Sequence, residues 1–512
     1  MGKKEEKKYS QYVIECFTIG LRERLISAGL FPDKFPPFLT GDDFYRYVKK
    51  PGNLPPSKAS DYIRYSSMRN INVPRQMGIP EPFAYANLCS CLGDHWLEIL
   101  RHFKKLTDNQ TFKVSRIHLR LKKEKKSLFE MNYKNHNLDG FPEDDLVIRS
   151  RYIASCDISN CFPSIYSHSL SWALVGKDEA KKRSGPAYKD LWFNELDWKS
   201  RNIKNGETNG LLIGPHTSNL LSEIILVCID YELWNKDYRY VRNIDDYTCF
   251  VKSQEEAEHF QLDLTDELRK FELYLNAKKS SIVPLPQATV KDWVRKVNDY
   301  QINFHFSKSG NRILSRHGIQ SFMDFLIETF VDSKFDSAVL NYGIKMIRNF
   351  KLDGAAKTYF VKQVHHLSLL YPYLAQILDL AVFSPHKFKK SDIKAIASDI
   401  YLQGREKGIY EACVHSIFWA IKYKFKIDVA NVKEDSIKSE DCIYMAIAFR
   451  FDSLNNKKAY LIEYRNKAKE LSENDLERNW LFVYEVLPAS DLPPPYKQMK
   501  KEKVTFFNPK FS

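Results

Sequence analysis

The segment YRYVRNIDDYTCFV, residues 238–251, decides how the rest of the sequence is interpreted. Aromatic and β-branched residues on both sides of NIDD predict two short strands joined by a tight turn. The turn presents two adjacent carboxylates, Asp245 and Asp246, which repel each other unless a proton or a cation lies between them. A divalent metal ion would relieve this repulsion. The alternative is that NIDD is only a polar turn, since Asn and Asp are common turn residues.

Another acidic residue stands earlier in the chain, at the end of an apolar segment. Asp157 ends the predicted strand RYIASCDIS, and Phe162 follows it five residues later. In residues 151–290, strand-like segments alternate closely with helix-like ones, among them HTSNLLSEIILVCIDYELW and EEAEHFQLDLTDELRKFEL. This order predicts an α+β fold for the region.

Two further segments complete an ordered set of four. GLLIGPHTSNLLSE, residues 210–223, sets two glycines before a helix, which lets the backbone approach a flat or anionic partner closely. A plain loop is equally compatible with these glycines. Asn276 and Lys279 follow an amphipathic helix and precede the strand SSIVP, where a lysine is often simply solvated.

The totals favour a polyanionic partner and a reducing compartment. The 78 Lys and Arg against 64 Asp and Glu give a net charge of +14, which favours nucleic acid or nucleotides, with solvated lysines as the alternative. The nine cysteines form no C-x-x-C pair, and the 512 residues contain neither a secretory signal nor an apolar run that could span a membrane. We expect a cytoplasmic protein without membrane contact.

The regions that flank the α+β part have their own character. Residues 1–64 combine helical spacing with proline-rich loops, and residues 65–150 contain short β-like runs and the basic stretch RLKKEKK at 120–126. Within residues 291–512, apolar spacing at i, i+3 and i+4 predicts only helices from 314 to 490, in series as in a solenoid. The basic, proline-rich segment after residue 490 is expected to be loosely packed.

The ordered set of Asp157, the glycine loop, the acidic doublet and Lys279 resembles the palm of reverse transcriptases in order and spacing. The resemblance implies that Asp157 and Asp245 hold two Mg²⁺ ions, or Mn²⁺ in their place, together with the backbone carbonyl of Ile158. Asp246 would support this site. The implied reaction is nucleotidyl transfer from dNTPs, which makes DNA.

The same resemblance implies roles for residues around the nucleotide. Phe162 stands at the aromatic position that excludes a ribose 2′-OH, so dNTPs are the expected substrates; its alternative is an ordinary core residue. Lys279 stands where the family has a lysine that can donate a proton to pyrophosphate, with a surface lysine as its alternative. The other candidates for nucleotide binding, each with a structural or solvated alternative, are Gly214, Arg75, Arg116 and Arg120. The lysine-rich run at 122–126 is a candidate for holding the growing strand.

Departures from the family pattern indicate a narrower group. Ile213 and Asn219 stand where the family usually has Gln and Pro, and Asn243 and Ile244 stand where it usually has Tyr and a small residue. With GIPEPFAYANLCSCLGDHW at 78–96 and the long helical region, the chain resembles the bacterial abortive-infection reverse transcriptases of type K and type A and their prophage-encoded relatives.

Membership in that group implies phage defence by DNA synthesis without a template. A protein hydroxyl would act as primer, so the single-stranded DNA product would stay covalently attached, and the protein would form a homo-oligomer, a trimer or hexamer. The implied domains are an N-terminal region at 1–64, fingers at 65–150, a palm at 151–290 and a helical HEAT-like domain at 291–512.

Tyrosine is the usual priming side chain when a metal ion can help to deprotonate it. The first candidates lie in the proline-rich N-terminal loops: Tyr45, Tyr47 and Tyr62. Two other functions remain open from the sequence. One is templated RNA-dependent cDNA synthesis, as in retron-like enzymes, and the other is a catalytically idle scaffold that binds nucleic acid.

Overall fold

The computed structural model describes residues 8–18, 20–69, 73–116, 140–427, 431–456 and 458–511. Arg120 and the lysine-rich run at 122–126 lie outside these residues. Buried apolar side chains from the N-terminal helices, the central sheet and the helical region belong to one continuous cluster, which runs from Tyr9 to Phe507. In the part of the chain that is described, each helix is too short or too polar to cross a lipid bilayer.

The first part of the chain forms five helices and a two-stranded antiparallel sheet. The elements are α1 (Tyr9–Thr18), α2 (Leu21–Gly29), α3 (Asp42–Val48), β1 (Tyr62–Ser67), β2 (Arg75–Pro80), α4 (Pro82–Asp94) and α5 (Trp96–Thr107). The expectation of β-like runs was wrong for α4 and α5. Nearly every side chain of α4 is buried, Cys89 and Cys91 included, so its sequence lacks the one-sided spacing that reveals a surface helix. Glu81 marks its start, because the Glu81 carboxylate accepts a hydrogen bond from the Ala84 amide at 2.7 Å.

The middle of the chain folds around a four-stranded antiparallel sheet. The elements are α6 (Pro142–Leu146), β3 (Tyr152–Asp157), α7 (Cys161–Ser164), α8 (Ser169–Val175), α9 (Lys177–Lys182), α10 (Trp192–Asn202), α11 (His216–Asn235), β4 (Tyr240–Asn243), β5 (Asp246–Val251), α12 (Gln254–Arg269) and β6 (Ser281–Pro284). The strand order is β4-β5-β3-β6, and α12 packs on β3 and β5 with α11 beside it. The strand predicted in RYIASCDIS forms at 152–157, the two strands beside the acidic doublet at 240–243 and 246–251, and the strand predicted in SSIVP at 281–284. The two long helices are also present, as expected for an α+β fold.

The last part is predominantly helical. Its elements are α13 (Asp292–Asp299), β7 (His305–Phe306), β8 (Arg312–Leu314), α14 (Arg316–Asp332), α15 (Ser337–Ile347), β9 (Lys351–Leu352), α16 (Gly354–Leu370), α17 (Ala375–Leu378), α18 (Ser384–His386), α19 (Lys390–Glu406), α20 (Tyr410–Tyr423), α21 (Val432–Ser439), α22 (Cys442–Asn455), α23 (Ile462–Asn474), α24 (Trp480–Val486) and α25 (Tyr496–Lys501). A π-helical segment, Asp379–Phe383, joins α17 to α18. The prediction of helices alone missed β9, which pairs with β8 and is too short to leave a strand pattern.

The segment after α25 is tightly packed, which corrects the expectation of a loose tail. Phe506 is fully buried, and its carbonyl accepts a hydrogen bond from the Thr40 amide at 2.8 Å. The Asn508 amide donates to the Phe38 carbonyl at 2.7 Å, and the Phe506 ring lies 4.9 Å from the Trp480 ring. The apolar residues of VTFF therefore complete the core of the N-terminal region. The basic and proline-rich composition of the segment after residue 490 gives no indication of this packing.

Candidate active site

The central sheet brings Asp157 next to the acidic turn, by which we mean Ile244 and Asp245 together with Asp246 at the start of β5. Strands β3 and β5 are antiparallel with Asp157 directly opposite Asp246, while β4 and β5 are joined by Ile244 and Asp245 alone. The Ile158 amide donates a hydrogen bond to the Asp245 carbonyl at 3.1 Å, which ties the end of β3 to the turn. Acids that are 88 residues apart along the chain therefore meet at one edge of the sheet.

Like charges placed opposite each other destabilise a sheet, so the site needs positive charge. Lys279 supplies part of it, because its ammonium Nζ lies 2.9 Å from Oδ2 of Asp157. The Asp157 side chain is only 8% exposed, whereas that of Lys279 is 65% exposed. The lysine can consequently swing into solvent when another cation occupies the carboxylates.

The electrostatics of the cluster show how strongly the carboxylates interact. Burial and the neighbouring carboxylates of Asp245 and Asp157 raise the pKa of Asp246 to about 6. The hydrogen bond to Asp157, aided by the charges of Asp246 and Asp245, raises the pKa of Lys279 above its ordinary value. Both shifts report an excess of negative charge at the turn.

The residues present fit a hard divalent cation. The side chains of Asp157, Asp245 and Asp246 offer carboxylate oxygens at the end of the sheet, the ligand type that Mg²⁺ prefers. The ammonium group of Lys279 shows that a cation is already stabilised beside these carboxylates. The Ile158 carbonyl, predicted as a further donor, belongs to the residue that is hydrogen-bonded to the turn. Bound Mg²⁺ would lower the pKa of an attacking hydroxyl and neutralise charge on a triphosphate.

The turn itself is held in an unfavourable conformation. Ile244 has φ of 64°, in the left-handed region that β-branched residues avoid, at a cost of about 1 to 3 kcal/mol. Beneath it, Arg242 is completely buried and donates a hydrogen bond to the Ile244 carbonyl at 2.8 Å. The same guanidinium is paired with two buried carboxylates of α11, Glu223 and Asp230.

Sequence reasoning missed these three residues, although a signal was present. Glu223 and Asp230 are two acids seven residues apart, hence on one face of an otherwise apolar helix, and Arg242 interrupts an apolar strand. Buried charges of opposite sign on neighbouring elements indicate an ion-pair network.

The glycine loop is shaped by close packing on both sides. Gly210 has φ of 84°, and a Cβ there would lie 2.7 Å from the Pro163 carbonyl oxygen. The next amide, of Leu211, donates to the Phe162 carbonyl at 2.7 Å, which holds the half-buried Phe162 beside the end of β3. Gly214 has φ of 135°, and a Cβ there would lie 3.0 Å from the Gly78 carbonyl oxygen. Close contact with β2 therefore accounts for Gly214, whose predicted contact with the nucleotide stays a prediction.

The predicted arginines have different positions. Arg75 is exposed at the start of β2; burial of part of its side chain and the charge of Arg69 lower its pKa, while the charge of Asp245 opposes this shift. Arg116 is 2% exposed, and its Nη2 donates to the Gly140 carbonyl at 2.7 Å. That buried position favours a structural role for Arg116 over the predicted contact with a triphosphate.

The three tyrosines proposed as primers also differ. Tyr47 is 3% exposed and packs against the Phe83 ring, which leaves little access to its hydroxyl. Tyr45 is half-buried and lines a cavity of 380 Å³ bounded also by α2 and α4. Tyr62 is half-buried and lies beside the glycine loop, since a Cβ on Gly78 would lie 3.0 Å from its ring and 2.9 Å from Leu212.

A second cluster of potential metal ligands lies where the end of α4 meets α10. Side-chain ligand atoms of Cys91, His95 and Glu195 all lie within 4.8 Å of one another. Glu195 is already paired with Lys199 at 2.6 Å and hydrogen-bonded to His95 at 3.2 Å. Because the carboxylate charge is compensated, the contacts explain this cluster without an ion.

Comparison with known families identifies the middle of the chain. Residues 101–305 match the family model described as reverse transcriptase (RNA-dependent DNA polymerase). The matched range contains Asp157, the glycine loop, the acidic turn and Lys279. The chain therefore contains a reverse transcriptase domain, a class of nucleotidyltransferase that synthesises DNA and generally uses divalent metal ions such as Mg²⁺. The match is to the family as a whole, and no curated protein matches the chain.

Proposed function

We propose that this chain, with a reverse transcriptase domain at residues 101–305, is a Mg²⁺-dependent DNA polymerase that extends a hydroxyl of the protein itself without a template and acts in phage defence. The observation that carries the polymerase activity is the meeting of Asp157 with Asp245 in the turn and Asp246 at the start of β5, beside Lys279. Such a set of oxygen ligands next to an exposed ammonium suits phosphoryl chemistry.

In this proposal each residue of the site has one task. Asp157 and Asp245 bind the metal ions, and Asp246 adds negative charge that strengthens their binding. Lys279, kept protonated by Asp157, donates its proton to the departing pyrophosphate once it is released from that carboxylate. Arg75, whose pKa is influenced by the charge of Asp245, contacts the triphosphate, and Phe162 excludes the ribose 2′-OH.

Synthesis without a template is supported by the glycine loop. Ile213 stands where the family usually has Gln, and an aliphatic side chain cannot hydrogen-bond to a template. Its backbone is also engaged, since the Gly78 amide donates to the Ile213 carbonyl at 2.9 Å. The loop is therefore packed on β2 at the position where a template contact would be expected.

Protein priming is best supported for Tyr62. Of the three candidate tyrosines it is the one packed beside the glycine loop, whereas Tyr47 is buried in the core. We therefore propose Tyr62 as the first primer to test, with Tyr45 second.

Incubation of purified protein with labelled dNTPs and Mg²⁺, without nucleic acid, tests the proposal on a denaturing gel. The label is expected to migrate with the protein band. Treatment with a protease should then change the mobility of the labelled species. Asp157→Asn should abolish labelling, while Tyr62→Phe should abolish it only if Tyr62 is the primer. Labelled DNA that separates from the protein band would contradict protein priming.

Templated cDNA synthesis remains a second candidate, because the matched family is described as an RNA-dependent DNA polymerase. An RNA template with an annealed primer distinguishes the two. Product whose length and sequence follow the template would support this second function and overturn the first.

The wider biological proposal rests on the helical region and on the resemblance to abortive-infection enzymes. Helix α20 packs between α19 and α22, and α22 packs against α24, a neighbour pattern that supports a HEAT-like stack. We propose a trimeric or hexameric assembly, which light scattering can measure. If cells expressing Asp157→Asn resist phage as well as cells expressing the unaltered chain, the protein acts as a scaffold and not as a polymerase.

A further inference from the structure

A fully buried ion cluster lies directly beneath the catalytic turn. The Arg242 side chain has no exposed surface, nor does that of Glu223, and that of Asp230 is 2% exposed. Nη1 of Arg242 donates to Oε2 of Glu223 at 3.1 Å, and Nη2 donates to Oε1 of the same residue at 3.0 Å. Nε donates to Oδ2 of Asp230 at 3.0 Å, which makes both pairs direct and hydrogen-bonded.

The fifth N–H of the guanidinium reaches the turn. Nη1 of Arg242 donates to the Ile244 carbonyl at 2.8 Å, and Nη2 also donates to Asp230. An arginine has five N–H donors in one plane, and here the two carboxylates and the carbonyl use all of them. A lysine has the same charge but lacks this planar fork.

Two tyrosines anchor the cluster, one from helix α1 and one from strand β4. The Tyr9 hydroxyl, on α1, donates to Oε1 of Glu223 at 2.6 Å. The Tyr240 hydroxyl donates to Oδ1 of Asp230 at 3.1 Å. Helix α1 is therefore connected through Glu223 and Arg242 to the carbonyl that precedes Asp245.

Stability alone gives a poor account of this arrangement. Burying an ion pair loses hydration that packed apolar side chains of similar volume would not lose, so such clusters are weak contributors to folding. This one ends on the carbonyl of Ile244, the residue whose backbone is in the left-handed region. A strained backbone persists only where its surroundings hold it in place.

We propose that Arg242 is a positioning residue of the polymerase site: held by Glu223, Asp230 and Tyr9, it fixes the Ile244–Asp245 turn so that the Asp245 carboxylate faces Asp157. This inference rests on the proposed function for the identity of the metal ligands. Its consequence is that side chains which touch neither metal nor nucleotide set the affinity of the site for divalent cations.

The test compares three variants of the full chain by Mn²⁺ binding, measured as the loss of the free-ion signal in electron paramagnetic resonance. Arg242→Lys should weaken the Asp157-dependent Mn²⁺ binding about tenfold, as is usual for residues that orient metal ligands. Tyr9→Phe, which deletes one oxygen, should weaken it in the same direction by a smaller factor. The concentration of Mg²⁺ needed for half-maximal nucleotide incorporation should rise in parallel.

Tyr464→Phe is the matched control. The Tyr464 hydroxyl donates to Oδ2 of Asp452 at 2.7 Å in the helical region, so this variant also removes a buried hydroxyl from a buried carboxylate. It should lower the thermal midpoint like Tyr9→Phe and leave Mn²⁺ affinity unchanged.

The outcomes separate this inference from the proposed function. If Tyr9→Phe and Arg242→Lys bind Mn²⁺ like the unaltered chain, the cluster is only structural and the inference is wrong. If Arg242→Lys fails to fold, Tyr9→Phe decides alone. If the unaltered chain binds Mn²⁺ through Asp157 but incorporates no nucleotide, the proposed function fails while the effect of Tyr9→Phe on metal affinity still tests the positioning role.

Discussion

Replacing Asp246 by asparagine is expected to stabilise the metal-free protein and to weaken its binding of divalent cations. The pKa of Asp246 is raised to about 6 by burial and by the carboxylates of Asp245 and Asp157, so its charged form is disfavoured in the folded state. Between about pH 4 and pH 6 the folded protein keeps a proton that the unfolded chain has lost. The free energy of unfolding therefore falls as pH rises through this window, and the loss is complete at neutral pH.

The size of this effect on the free energy of unfolding follows from the pKa shift of Asp246. A rise of about two pKa units corresponds to about 3 kcal/mol as an upper bound, and since the Asp246 side chain is covered only in part and remains accessible to solvent, screening reduces this to about 1 kcal/mol. For a chain of this size we expect the thermal midpoint of Asp246→Asn to be about 1 to 2 °C higher at pH 7 in EDTA. The pKa also implies that Mn²⁺ affinity of the unaltered site falls about tenfold from pH 7 to pH 5.

Thermal unfolding in EDTA and in Mg²⁺, at pH 7 and pH 5, measures these effects. The advantage of Asp246→Asn should shrink at pH 5, where Asp246 is protonated, and should reverse in Mg²⁺, which stabilises the unaltered protein more. Asp441→Asn is the control, because burial raises the pKa of Asp441 to about 6 far from the sheet and asparagine can also cap α22. Its effect should not depend on Mg²⁺. An Asp246→Asn protein that is less stable in EDTA at pH 7 would show that the turn is not electrostatically strained.

Three further substitutions test other parts of the structure. Burial raises the pKa of Glu411 to about 7, so Glu411→Gln should remove a loss of stability that accompanies a rise in pH from about 4.5 to 7; an unchanged pH profile of the thermal midpoint would contradict this. Phe162→Ala should raise the incorporation of ribonucleotides relative to dNTPs in competition assays, and an unchanged ratio would count against its proposed role. Arg75→Gln should raise the KM for dNTP about tenfold with a smaller change in kcat, whereas an equal fall in kcat alone would indicate a role in the transition state.

Much of the central sheet could be predicted because its signals are local. Aromatic and β-branched residues make up most of the two hairpin strands, β3 is mostly apolar, and NIDD is a strong turn signal, so the hairpin and β3 follow from short stretches. The meeting of Asp157 with the turn was expected from the order of the motifs, and it arises because β3 ends at Asp157 while the antiparallel β5 begins at Asp246. The roles of these acids in catalysis stay predictions until the variants are measured.

The remaining features depend on contacts that sequence spacing does not record. Helix α4 is buried on all sides, which removes the polar face that reveals a helix. The acids of α11 and the arginine of β4 give a sequence signal for buried charges, but the sequence does not show that these two elements face each other. The apolar residues near Phe506 pack on a segment more than 400 positions earlier, and a pairing of that separation leaves no local pattern.

The packing of Phe506 against Trp480, Phe31 and Phe44 has a consequence for synthesis in the cell. The N-terminal helices leave the ribosome early, but the aromatic ring that completes their core is translated some 450 residues later. The nascent chain therefore contains the acidic turn well before the core of the N-terminal helices can be completed. We expect the enzyme to be inactive during translation. It should become active in a single folding step after Phe506 has left the ribosome.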